Sequence, residues 1–127
     1  MGLFGKKKDD VAAVDDSERQ KTRKIDGKQT LSSKGCTVTV VWISNENSQS
    51  HSMGQLEVDS CGAVAYVNPG CAYQFVLSKG EHKIIFKCST PGKSLDNPHG
   101  DFTVNVTEDS RYFLVPPKKG YRYTLEM

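Results

Sequence analysis

Cys36-Thr37-Val38-Thr39-Val40-Val41-Trp42-Ile43 is the stretch that decides the fold. Cys36, Val38, Val40 and Trp42 fall on one side of an extended chain, and β-branched or aromatic residues fill most of the remainder. That is the period and composition of a pleated, half-buried strand. The same period recurs downstream. Gln55–Asp59 and Ala63–Val67 read as short strands around a Ser60-Cys61-Gly62 turn, and Asn68-Pro69-Gly70 ends the second. Tyr73–Leu77, a Ser78-Lys79-Gly80 turn and His82–Cys88 read as a hairpin, with Ile84, Phe86 and Cys88 on one face and Lys83 and Lys87 on the other. Phe102–Val106, Arg111–Val115 and Tyr121–Leu125 complete the series.

Short alternating segments about ten residues apart, with no amphipathic helix between them, predict an all-β protein. The expected architecture is an antiparallel β-sandwich of seven or eight short strands, of immunoglobulin-like size, with a disordered N-terminal tail. Parallel α/β folds are disfavoured because crossover helices are missing. The expected core draws on Val38, Val40, Trp42, Val64, Tyr66, Phe75, Leu77, Ile84, Phe86, Val104, Val106, Phe113 and Val115. Burying such a side chain yields about 1.5–3 kcal/mol, enough in sum for the domain to fold alone.

Outward from this region the chain changes character. Residues 1–34 hold nine Lys/Arg and six Asp/Glu, whereas residues 35–127 hold eight and nine. So charged a segment with few apolar residues does not offset its ordering entropy. The expectation is a flexible charged tail over 1–34 and a sandwich over 35–127. Within the tail, helix is expected only transiently between Val11 and Lys24, with a short edge strand around Asp26-Gly27. Leu3-Phe4 beside Lys6-Lys7-Lys8 offers at most a weak contact of residues 1–8 with an anionic membrane surface. Two aspartates follow where a secretory signal needs an apolar run, and no stretch reaches the ~20 apolar residues of a membrane helix. A cytoplasmic location is therefore expected.

Val58-Asp59-Ser60-Cys61-Gly62 and Leu77-Ser78-Lys79-Gly80-Glu81-His82-Lys83-Ile84, with Phe102–Val106 and Tyr112-Phe113-Leu114-Val115, resemble bacterial PEGA-type modules and related carboxypeptidase-regulatory-like sandwiches. Ser60 stands where that pattern has glycine, and Lys79 where it has proline. The resemblance spans roughly residues 36–115. It implies a non-catalytic sandwich used as an adaptor, spacer or ligand-holding module, and it makes His82 framework.

No catalytic signature competes strongly with that reading. Cys36, Cys61, Cys71 and Cys88 lack the paired spacing of a zinc site, so no metal or other cofactor is expected. Cys61 and Cys71 bracket one strand, and free thiols are favoured over a bridge between them. The alternative function is a thiol- or metal-dependent enzyme using Cys61 or Cys71 with one of His51, His82 and His99. Phosphate-binding glycine loops and nucleophile elbows are absent from the sequence. Binding is the favoured class, with a protein or glycan as partner and nucleic acid disfavoured at a net charge of +2. The contact residues singled out are Tyr112, Tyr121, Arg122 and Tyr123, because aromatics beside arginine anchor interfaces, together with His99 between Asp96 and Asp101.

Overall fold

The alternating segments pair into two sheets that share one apolar interior. The computed structural model describes residues 14–43, 53–60, 64–89, 99–117 and 122–127. Within them lie a helix, α1 (Asp16–Gln20), and nine strands: β1 (Ile25–Thr30), β2 (Cys36–Trp42), β3 (Met53–Val58), β4 (Val64–Val67), β5 (Ala72–Leu77), β6 (Gly80–Ser89), β7 (Gly100–Val106), β8 (Ser110–Val115) and β9 (Thr124–Glu126). One sheet has the order β1-β5-β2-β8-β9 and the other β4-β3-β6-β7. Val38, Val40, Trp42, Phe75 and Leu114 of the first meet Leu56, Val58, Ile84, Phe86 and Val106 of the second, none more than 1% exposed. The chain is an all-β sandwich. Among the described residues no helix is long and apolar enough to cross a membrane.

The densest part of the interior is aromatic. Trp42 and Phe86 meet edge to face with centroids 5.1 Å apart, and Phe86 and Tyr123 do so at 5.0 Å. Gly54 makes room for them: a Cβ there would lie 2.7 Å from the Phe86 ring and 2.8 Å from the Trp42 ring.

Several features differ from the sequence expectation. Nine strands form, the additional one being the edge strand foreseen around Asp26-Gly27, and two pairings, β1–β5 and β2–β8, are parallel. Alternation fixes which face a residue takes but not the direction of its neighbour. The expected hairpin of 73–77 with 82–88 does not pair, because β5 and β6 lie in different sheets. The chain turns a corner at Ser78-Lys79-Gly80, where Gly80 adopts φ +124°. On β4 the faces are exchanged: Ala65 and Val67 are buried, Val64 is half-buried and Tyr66 is 53% exposed.

Finally, Phe113 and Val115 are buried on the outer face of the five-stranded sheet, while Tyr112 and Leu114 take the inner face. Phe113 and Val115 cluster there with Val41, Ile43 and Ala72, and Val14 packs onto them. Residues 14–24 run across this face as a strap. The Arg19 guanidinium sits 5.2 Å from the Phe113 ring centroid, an attraction between cation and π-face. Arg111 Nη1 donates to the Arg19 carbonyl at 3.4 Å. The segment expected as tail therefore contributes α1 and β1 to the sandwich, while residues 1–13, with the proposed membrane contact of 1–8, lie outside the described residues.

Candidate functional site

Among the described residues, those singled out from sequence do not assemble an exposed aromatic platform. Tyr112 is 7% and Tyr123 4% exposed, both within the shared interior, while Arg122 is exposed. Tyr121 lies outside the described residues. Alternation around Arg122 explains the result, because turning the arginine to water turns Tyr123 inward. The Tyr123 hydroxyl accepts from Trp42 Nε1 at 3.3 Å, which satisfies the indole in the core. His99 is brought beside this pair: its backbone N–H donates to the Phe86 carbonyl at 2.8 Å, and its carbonyl accepts from Tyr123 N–H at 2.7 Å. Its Nδ1 accepts from Cys88 N–H at 3.4 Å. His99, Cys88, Tyr123 and Trp42 thus form one polar thread through an apolar core.

That thread does not favour nucleophilic chemistry. Burial pushes the Cys88 thiol up to about 12, although the hydrogen bond with Tyr123 opposes it. Burial, and then the Asp26 carboxylate, likewise raise the thiol of Cys71. Cys36, Cys71 and Cys88 are free thiols, whereas Cys61 and His51 lie outside the described residues. Among the described residues no group of three His, Cys, Asp or Glu could hold a metal ion.

A second constellation superficially matches a Ser-His-Asp triad. His82 Nδ1 lies 2.5 Å from Asp59 Oδ2, and Nε2 lies 2.7 Å from the Ser78 carbonyl and 3.3 Å from its hydroxyl. The shorter contact decides the role. An imidazolium donating from both nitrogens satisfies the carboxylate and the carbonyl, and retains no lone pair with which to activate the hydroxyl. Burial acts against both charges, yet the hydrogen bond and charge between the partners prevail. Asp59 lies below its ordinary range and His82 above. Asp59 Oδ1 also accepts from Lys83 N–H at 2.8 Å. The pair ties the Asp59-Ser60 turn, where φ is +55° and +52°, to the corner between β5 and β6. It is a structural pin.

The open side of the sandwich is the third region. Among the described residues, β7 pairs with β6 alone, and β9 covers only Phe113–Val115 of β8. Between these edges runs a groove of about 530 Å³, with Phe102, Val104, Tyr112 and Leu125 among its lining. The backbone direction along β7 follows from the ladder. Asp59 N–H donates to the Lys83 carbonyl at 2.8 Å, so Lys83 faces β3. Backbone polar groups alternate sides along a strand, so His82 and Ile84 face β7, opposite Val104 and Phe102. Asp101, Thr103 and Asn105 consequently present their N–H and C=O groups to the free edge. Sequence reading identified the β7 strand but not this groove, because an edge is a property of pairing order. No family model, curated protein or solved structure matches the chain.

Proposed function

We propose that the chain is a non-catalytic recognition module that takes up an extended peptide segment of a protein partner along the free edge of β7. The observation that carries this reading is the β7 edge, unpaired among the described residues, lying beside a groove with apolar side chains along its floor. A strand added there gains main-chain hydrogen bonds from Asp101, Thr103 and Asn105. Every second side chain of that strand would enter between the sheets against Phe102, Val104 and Leu125. A protein partner is favoured over a glycan because the tyrosines that would stack on a sugar, Tyr112 and Tyr123, are held in the interior. The resemblance to PEGA-type sandwiches implies the same broad class, a ligand-holding module without catalysis.

Thr103→Pro tests the reading. Proline removes an outward N–H, leaves the ladder to β6 intact and is tolerated on an edge. Random peptides displayed on phage and selected on the intact chain are expected to show apolar residues at alternate positions and to lose binding to Thr103→Pro at least tenfold. Selected peptides that bind this folded variant as well as the original chain would refute strand addition.

A further inference from the structure

Beneath the strap, between residues 20–25 and the outer face of the five-stranded sheet, lies a second cavity of about 230 Å³. Among the described residues its wall carries three cations, Lys21, Arg23 and Arg111, and no carboxylate, while Val41, Ala72 and Ile25 give it an aliphatic side. The Arg23 side chain is only 7% exposed. Its Nη2 donates to the Glu18 carbonyl at 2.8 Å and to Glu18 Oε1 at 3.1 Å, but its buried Nε has no hydrogen-bond partner. An unsatisfied buried donor costs about 1–3 kcal/mol, so this guanidinium is poised for an acceptor. Arg111 spends one nitrogen on the Arg19 carbonyl, and an arginine carries five donors. Thr39, also on the wall, accepts from Gln74 Nε2 at 3.2 Å, which leaves its own proton to donate. Glu18 is the carboxylate facing this group, 3.1 Å from Arg23 and 3.8 Å from Lys21, and it offsets one of the three charges.

We propose that this cavity binds a small carboxylate with an apolar body, its charge held by Arg23, Arg111 and Lys21 and its body resting on Val41, Ala72 and Ile25. Planar guanidinium forks match a carboxylate. At ~30 Å³ per water, the space equals nearly eight waters, more than a carboxylate alone fills. A hydrated inorganic anion would leave the aliphatic wall wet, whereas an attached ring or branched chain covers it.

Benzoate is the probe, titrated into the intact chain while the Nε–H resonances of Arg23 and Arg111 and the amide of Val41 are followed by NMR. The expected result is a saturable shift of all three. Benzyl alcohol, inorganic phosphate and sodium chloride at matched ionic strength should not reproduce it. Arg111→Gln should weaken benzoate roughly tenfold or more, the loss of a charge-assisted contact. Lys21→Gln, whose side chain is 64% exposed, should weaken it only about twofold. Should Arg111→Gln fail to fold, the resonances of the original chain and Lys21→Gln decide the matter. Absence of a saturable Arg23 shift, or the same shift with phosphate, chloride or the neutral alcohol, would overturn the proposal. Thr103→Pro should retain the benzoate response, which separates this site from the β7 groove.

Discussion

The two sheets solve the problem of burial differently. In the four-stranded sheet, β3 buries Gly54, Leu56 and Val58 and turns Gln55 and Glu57 toward water, and β6 buries Ile84, Phe86 and Cys88 while Lys83 and Lys87 point out. One face is packed, and on the other the described residues are half-buried or exposed. In the five-stranded sheet, β2 is buried at every residue from Val38 to Trp42, and β8 from Tyr112 to Val115. A sheet covered on one side must alternate, whereas a sheet covered on both reads as a continuous apolar run. The run Val40-Val41-Trp42-Ile43 therefore carries two messages. Its even residues specify the partner sheet, and its odd residues require a second cover, which residues 14–24 provide.

The largest expected effect comes from the interior that both sheets share. Trp42→Ala removes the centre of the aromatic cluster and the donor to Tyr123, and should cost about 3–5 kcal/mol in a urea melt. A loss below about 1 kcal/mol would mean that the two layers do not depend on one another. The next effect breaks the comparison itself. Phe113→Ser strikes the covered outer face and Ile85→Ser the more open one, with Phe113 3% exposed and Ile85 half-buried. The first should cost about 3 kcal/mol and the second about 1 kcal/mol or less. Equal losses would show that the strap does not shield its sheet.

These contrasts mark how far sequence carries. Val38, Val104 and Val106 were legible as core because polar residues flank them, Val40 and Trp42 because they continue the period of Val38, and Ile84 and Phe86 because Lys83 and Lys87 take the opposite face. On β4 the opposite choice, Ala65 and Val67 rather than Val64 and Tyr66, was not legible, because both sets are apolar and the strand is four residues long. Phe113 and Val115 were legible as buried but not as outward, since Tyr112 and Leu114 are equally apolar. The strap escaped because α1 is five residues long with no buried residue, and its hold rests on Val14, Arg19 and Arg23. Tyrosine is ambiguous by nature: a ring that anchors a partner also fills a core if its hydroxyl finds a donor, as Tyr123 does in Trp42. The groove and the cavity arise from strand order and from the strap, neither of which leaves a local pattern.

The smallest expected effect sharpens the comparison through pH. His82 lies above its ordinary value of 6.5 because of the Asp59 hydrogen bond, the Ser78 carbonyl and the Asp59 charge, which outweigh burial. Its contribution to stability is complete below about pH 6.5 and fades as pH rises through the folded value. Asp59 is shifted down from 3.8, so its share is complete above about pH 4 and fades as pH falls through the folded value. The pin should hold best between those limits. His82→Ala should cost about 1–2 kcal/mol there, the lower figure being favoured because the Asp59 side chain is 41% exposed, and should flatten the profile. Acid also acts on the strap, since the Glu18 N–H and then the Ser17 hydroxyl hold Asp15, the cap of α1, below its ordinary range. The alkaline limb distinguishes the two regions. Raising the pH through the folded His82 value should speed amide exchange around Asp59 and at the Ser78–Gly80 corner. Exchange at Glu18 and Arg19 should show no excess over the ordinary rise of intrinsic exchange with pH. An equal excess at the strap would show that the two sides of the sandwich open as one unit.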